Sequence, residues 1–153
     1  MNSVSANQTI LIVKDSDDDY DATVRALTNG TNLKNPIHRC EDGAETLDYL
    51  LRQGQYATLS DESLPGIILL DLNMPGLDGR KVLEQIKNDP ALKSIPTIVM
   101  TNSKDERDIN DCYLIGANTY VQKPLDWQGF FEAINRLKEY WFEIAVLPKS
   151  SMS

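Results

Sequence analysis

The five residues Ile-Ile-Leu-Leu-Asp, at positions 67 to 71, restrict the possible folds more than any other part of the chain. Four consecutive apolar residues, Ile67 to Leu70, indicate a strand that is buried on both faces, as in a parallel sheet covered by helices. The run ends in the carboxylate of Asp71, and Asn-Met-Pro-Gly at 73–76 then turns the chain. Because open α/β sheets bind their ligands beyond the carboxyl ends of their strands, Asp71 is a candidate site residue. The simpler interpretation is a strand-ending aspartate that caps the next turn.

Strand-like and helix-like segments alternate five times along the chain, which predicts βαβ units and a parallel sheet. We therefore expect an α/β fold, a doubly wound five-stranded parallel sheet of the flavodoxin-like kind, in the order 2-1-3-4-5. The expected strands cover 9–13, 36–39, 66–70, 96–100 and 119–122. In the second helix we expect one buried stripe that consists of Ala44, Leu47, Leu50 and Leu51. The polar stretch from Gln53 to Pro65 is predicted to be an inserted loop.

Length and composition are typical of one globular domain. The chain has 153 residues, of which 41% are apolar and 25% charged, and we expect a domain at 9–146 with flexible tails at 1–8 and 147–153. No apolar run approaches the ~20 residues of a membrane-spanning helix, and no secretory signal is visible. The net charge of −8 argues against nucleic acid as a partner. Cys40 and Cys112 are interpreted as reduced thiols of a cytoplasmic protein.

In this topology, four strands bring polar residues to one edge of the sheet. The first strand ends at Lys14 and Asp15, the third at Asp71, the fourth at Thr101 and the fifth at Lys123. Carboxylates favour a hard divalent cation such as Mg²⁺, while an ammonium and a hydroxyl can hold phosphoryl oxygens. An aspartate that acts as a nucleophile forms an acyl phosphate. The group therefore suits phosphoryl transfer onto a carboxylate.

On these residues the chain resembles the receiver domains of two-component response regulators (CheY-like) over 9–140. Asp15, Asp71, Thr101 and the Lys-Pro pair at Lys123 match that family's functional positions in order and spacing. The resemblance implies that Asp71 accepts a phosphoryl group from a histidine kinase. It also implies that Asp15, Asp71 and the backbone carbonyl of Asn73 hold Mg²⁺, and that Thr101 and Lys123 contact the phosphoryl group. On this interpretation the protein is a phosphoacceptor in a relay and not an enzyme.

Two further positions carry weaker predictions. Tyr120 matches the aromatic residue that changes rotamer when such receivers are activated, although an aromatic in a strand is often simply a packing residue. Asn102 is larger than the small residue that the family usually has there. It could restrict the access of water to an acyl phosphate, or it could only form a surface hydrogen bond.

Lys14 departs from the family pattern, which usually has two adjacent acids after the first strand. An ammonium there repels a divalent cation, so we expect weak Mg²⁺ binding that Asp17 and Asp18 could partly restore. A second possibility is that Lys14 points to solvent and a water molecule takes the missing ligand position. A third is that Lys14 pairs with Asp71 and replaces the metal, which gives a receiver that signals without phosphate.

The last helix carries a long apolar stripe. Its first part must cover the sheet, whereas its continuation is predicted to be exposed and to form a homodimer interface. The residues assigned to this interface are Phe130, Ile134, Trp141, Phe142 and Ile144. This ending, together with the long polar loop before the third strand, is similar to the stand-alone receivers that serve cyanobacterial and other bacterial phytochrome-like histidine kinases. No output domain is expected after it, so output is expected through protein contacts.

Three other functions compete with the phosphoaccepting relay. The first is a pseudo-receiver that acts as an interaction scaffold, an idea that rests on Lys14. The second is a phosphotransferase or phosphatase, which needs an acid two residues after the nucleophile, where this chain has Asn73. The third is a flavodoxin-like cofactor binder, which is disfavoured because no phosphate-binding loop follows the first strand.

Overall fold

The fold is a parallel sheet with helices on both faces. The structure is a computed structural model, and it describes residues 8–28, 35–59, 63–72, 79–101, 106–122 and 126–141. The strands are β1 (Ile10–Val13), β2 (Ile37–Cys40), β3 (Ile67–Asp71), β4 (Thr97–Thr101) and β5 (Thr119–Gln122). The α-helices are α1 (Asp17–Thr28), α2 (Gly43–Leu51), α3 (Gly79–Asn88), α4 (Glu106–Ile115) and α5 (Trp127–Glu139). All strand pairs are parallel, in the order β2-β1-β3-β4-β5, which confirms the predicted fold class.

The central strands are apolar throughout because each side of the sheet covers its own core. Leu11 and Leu70 point into a core that includes residues of α2 and α3. Ile10 and Leu69 point to the opposite face, where they lie in a core with residues of α1 and α5. Since successive side chains of a strand point to opposite faces, a strand covered on both sides needs an apolar residue at every position.

The predicted stripe of α2 is only partly correct. Leu50 is buried, but Ala44 is exposed and the Leu51 residue is 37% exposed to solvent. Tyr49 sets the orientation of the helix, because its ring is buried and stacks on the His38 ring of β2 with centroids 4.1 Å apart. The buried face of α2 is therefore centred on Tyr49 and Leu50, and the predicted stripe, which left out Tyr49, included two exposed residues.

The stretch predicted to be an inserted loop contains regular structure. Residues Gly54–Leu59 form a 3₁₀ helix. Its Tyr56 ring packs edge-on against Tyr49, with centroids 5.1 Å apart, and so joins this segment to α2. The loop prediction was therefore wrong over this part of 53–65.

The predicted interface residues on the last helix lie largely inside the chain's own core. Phe130, Ile134 and Trp141 are 9%, 1% and 8% exposed, and all three belong to the core between the sheet, α1 and α5. The prediction that Trp141 is exposed was wrong, because its side chain belongs to the same core as Ile10 of β1 and lines a small apolar cavity together with Leu27. Phe142 and Ile144 lie outside the described residues, and the homodimer stays a prediction.

Helix α1 is stabilised electrostatically at both ends. Its first turn carries Asp17, Asp18 and Asp19, which complement the partial positive charge at a helix N-terminus. At its other end, the buried Nζ of Lys138 in α5 donates to the backbone oxygens of Leu27, at 3.1 Å, and Ala26, at 3.4 Å. An ammonium at this position satisfies carbonyl groups that a helix leaves without intrahelical partners.

We expect Lys138→Met to lower the free energy of unfolding by about 1–3 kcal/mol, because it removes a charged donor from two carbonyl oxygens in a buried position. Urea unfolding followed by circular dichroism measures the change. The matched control is Lys81→Met, at an exposed position of α3, which is expected to change stability by less than about 0.5 kcal/mol. Equal losses in the two variants would contradict a capping role for Lys138.

Candidate functional site

The candidate site lies at the carboxyl edge of the sheet, where the backbone register sets which residues are neighbours. Val13 of β1 is aligned with Leu70 of β3, so Lys14 and Asp71, the next residues on each strand, lie side by side. Asp71 is aligned in turn with Met100 of β4. Neighbouring residues of parallel strands point to the same face, so this register directs both charged groups into one site.

Lys14 and Asp71 form a buried ion pair. The Nζ of Lys14 lies 4.0 Å from Oδ2 of Asp71, and the two side chains are 1% and 4% exposed. This distance is at the outer limit for an ion pair and is too long for a hydrogen bond between these two atoms. The possibility that Lys14 points to solvent is therefore wrong, and the pairing with Asp71 is the arrangement that the structure contains. The burial is explained by charge compensation, since a buried charge is costly without an opposite charge nearby.

Helix α3 begins in close contact with the chain that follows Asp71. A methyl group added at Gly79 would lie 2.7 Å from the Cα of Leu72 and 3.0 Å from the backbone oxygen of Asp71. Both are backbone atoms that cannot move aside without distorting the strand. A glycine is therefore needed here for the helix to pack against the end of β3.

Arg39 organises the loop that follows β1, and sequence reasoning missed it. Its Nε donates to the backbone oxygen of Lys14, and its Nη2 to the backbone oxygen of Asp15, both at 3.2 Å. Its Nη1 donates to Oδ1 of Asp17 at 2.7 Å, and the guanidinium lies 4.8 Å from the centre of the Tyr20 ring. The available signal was an arginine on the strand predicted to lie beside β1, next to an acidic loop. Asp17 is thus engaged by Arg39, which counts against its compensating for Lys14.

The remaining predicted residues are described to different extents. The Asp15 side chain is exposed at the end of β1, on the same edge as Asp71. Tyr120 is half-buried in β5, and its backbone N–H donates to the hydroxyl of Tyr113 in α4 at 3.1 Å. Thr101 ends β4, at the edge expected for it, but its side chain lies outside the described part. Asn73, Asn102 and Lys123 lie outside the described residues, as does any contact that they make.

A second polar cluster lies at the sheet's edge strand, formed by His38, Cys40, Glu45 and Tyr56. The ligand atoms of the first three lie within 4.8 Å of one another. Both carboxylate oxygens of Glu45 are already engaged, by the Tyr56 hydroxyl at 2.5 Å and by the Glu41 N–H at 2.9 Å. The Tyr56 oxygen also lies 3.2 Å from Nε2 of His38. These contacts identify a hydrogen-bonded network that joins β2, α2 and the 3₁₀ helix.

The environment of this cluster favours the uncharged forms of Cys40 and His38. Burial raises the pKa of the Cys40 thiol to about 12, and the carboxylates of Glu45 and Asp42 add to the effect. Burial also lowers the pKa of His38 below its ordinary value of 6.5, an effect that nearby Glu45 opposes and Arg52 strengthens. Cys40 is therefore an unreactive thiol, and His38 is neutral at pH 7.

We expect the stability of the protein to fall on acidification because of His38. Its pKa is lower in the folded chain, so below about pH 6.5 the unfolded chain binds the proton more readily and is stabilised relative to the folded chain. Between pH 7 and pH 5, the free energy of unfolding of the wild type, measured with urea, should therefore fall more than that of His38→Gln. His38 is the sole histidine, so no other imidazole contributes. A difference that stays constant over this range would contradict the lowered pKa.

The fold and the site together define a class of protein: a doubly wound α/β domain with a buried carboxylate at the carboxyl edge of its central strand. The sequence profile of the response regulator receiver domain matches residues 10–135. The chain belongs to this family. Receiver domains of this family are typically phosphoacceptors that bind a divalent metal ion, and membership implies a histidine kinase partner.

Individual relatives match nearly the whole chain. The response regulator Rcp1 of a Synechocystis species is 34% identical over 139 residues, which cover 91% of this chain and 92% of that protein. The phosphorylated cyanobacterial phytochrome response regulator RcpA superposes with a TM-score of 0.87 at 36% identity, over 94% of this chain and 99% of RcpA. The Mn²⁺-bound form of Rcp1 gives a TM-score of 0.85 at 32% identity, over 93% and 99%. None of the helices in the described ranges has the length and apolar character needed to cross a membrane.

Proposed function

We propose that this chain is a response regulator that accepts a phosphoryl group on Asp71 from a sensor histidine kinase and signals through protein contacts. The observation that carries the proposal is the buried Asp71 carboxylate, which ends the central strand beside a cation. A carboxylate at the carboxyl end of a central parallel strand lies where open α/β sheets bind their ligands. The simpler interpretation as a turn cap does not account for the buried Lys14.

The proposed reaction is the transfer of a phosphoryl group from a phosphohistidine of the kinase. A carboxylate oxygen of Asp71 attacks the phosphorus, so that a P–O bond forms while the P–N bond breaks. The imidazole of the kinase keeps the electron pair of the broken bond, and the product is an acyl phosphate. By the resemblance to receivers, Thr101 donates a hydrogen bond to a phosphoryl oxygen and Lys123 neutralises charge on another.

A divalent cation, in our proposal Mg²⁺, supplies charge neutralisation at the phosphoryl oxygens. Asp71 and Asp15 fit such an ion, because both offer hard oxygen ligands at one edge of the sheet. The backbone carbonyl of Asn73 is the third proposed ligand. The buried ammonium of Lys14 does not fit the usual ligand set, and it leads us to expect weak binding.

We further propose that the kinase is phytochrome-like and that a downstream partner protein binds the surface formed by α4 and β5. The first part rests on RcpA, which is a phytochrome response regulator by name and resembles this chain over almost its full length. The second rests on Leu114 and Tyr113 of α4, which are 86% and 49% exposed. The Tyr113 hydroxyl accepts a hydrogen bond from the backbone N–H of Tyr120, so this exposed ring of α4 lies directly beside the strand that carries Tyr120.

The competing pseudo-receiver, which signals without phosphate, receives no support from the comparisons. RcpA, one of the similar structures, is a phosphorylated form, and the similar Rcp1 structure contains a divalent cation. The enzyme alternative is also unsupported, since the matching family is one of phosphoacceptors.

Incubation with a small phosphodonor and Mg²⁺ should add the mass of one phosphoryl group to the wild type and none to Asp71→Asn, as measured by intact mass spectrometry. Asp21→Asn, which alters an exposed carboxylate on α1, is the matched control and should be modified like the wild type. Modification of Asp71→Asn to the same extent as wild type would contradict the assignment of Asp71. A wild type that stays unmodified at saturating Mg²⁺, but binds its partners, would instead support the pseudo-receiver.

A further inference from the structure

The Lys14–Asp71 ion pair has a consequence for the metal site. We propose that the Lys14 ammonium competes with the divalent cation for Asp71, so that the chain alternates between a lysine-paired resting state and a metal-loaded state that can be phosphorylated. The proposal rests on the assignment of Asp71 as the phosphoacceptor. Lys14 then acts through Asp71, and it sets the concentration of divalent cation at which the site is half-occupied.

A divalent cation on Asp71 would lie close enough to the Lys14 ammonium for the two positive charges to repel each other. A divalent cation bound to Oδ2 of Asp71 lies about 2 Å from that oxygen, and Nζ of Lys14 lies 4.0 Å from the same atom. The two positive centres would therefore be no more than about 6 Å apart. Even with the dielectric constant of water, the repulsion at about 6 Å lowers cation affinity by ~10-fold, and a less polar site strengthens it.

The backbone of Lys14 is fixed, so the competition concerns its side chain. The N–H of Lys14 donates to the backbone oxygen of Cys40 at 3.1 Å. Its carbonyl oxygen accepts from Nε of Arg39 at 3.2 Å. Two residues of β2 therefore hold the backbone of Lys14 in the register that places its side chain beside Asp71. The ammonium can leave the carboxylate only through a rotation of its four-carbon stem.

Two physical consequences follow from this arrangement. Without metal, Asp71 is compensated by a charge of the same chain, so the empty site is stable without counter-ions from solution. When the metal binds, the ion pair between Lys14 and Asp71 has to break, and the free energy of breaking it weakens cation binding. Phosphorylation should therefore need a higher concentration of divalent cation than it does in a variant without the ammonium.

A double-mutant cycle in the presence of EDTA tests the ion pair without any metal or phosphodonor. The variants are Lys14→Met, Asp71→Asn and the double variant, compared with wild type by urea unfolding. We expect Asp71→Asn to lower the unfolding midpoint more in wild type than in the Lys14→Met background, because only wild type leaves the ammonium without that carboxylate. Additive effects of the two substitutions would overturn the proposal.

Mn²⁺ titration followed by electron paramagnetic resonance tests the competition itself. Lys14→Met is expected to bind Mn²⁺ at least ~10-fold more tightly than wild type, and Lys14→Asp more tightly still. Lys81→Met, on the exposed face of α3, is the control and should match wild type. Equal or weaker binding by both Lys14 variants would overturn the proposal. If Asp71 were not the phosphoacceptor, the cycle and the titration would keep their expected results while labelling of Asp71 failed, so the two failures are distinguishable.

Discussion

A carboxylate and an ammonium buried side by side at the edge of a parallel sheet are the constraint on which the rest of the site depends. Each charge would be strongly unfavourable alone in this position, and together they are tolerated. Removing either group leaves the other buried with less compensation, so Lys14 and Asp71 have to be understood as one unit. The charge of Asp71 is thus compensated from within the chain itself.

The surrounding structure serves to hold this pair. The parallel register of β1 and β3 brings the two residues together, and the contact of Gly79 with the end of β3 lets α3 pack beside them. Arg39 reaches across from β2 and binds the two carbonyl groups that follow β1. An arginine suits this position because its planar group offers several donors in a fixed geometry, which a lysine does not.

The fold could be predicted because its signals are local: apolar runs that end in polar residues, and helices that alternate with them. The pairing of Lys14 with Asp71 was one of several possibilities that the strand order allowed, and the burial of Lys14 and its distance from Asp71 decide among them. Burial on the helices was harder to predict. The ring of Tyr49 is buried and stacks on His38, and Trp141 is buried in the core with Ile10 instead of pointing to solvent. Such contacts depend on tertiary packing, which residue spacing alone does not specify.

A crystal structure of the protein with Mg²⁺ and beryllofluoride tests the account most directly, because beryllofluoride mimics a phosphoryl group on a carboxylate. The account predicts that beryllofluoride is bound to a carboxylate oxygen of Asp71, that a divalent cation lies beside it, and that Nζ of Lys14 has moved away from its position 4.0 Å from Oδ2. An Asp71 that carries no adduct at saturating beryllofluoride, and that keeps its ion pair with Lys14, would contradict it.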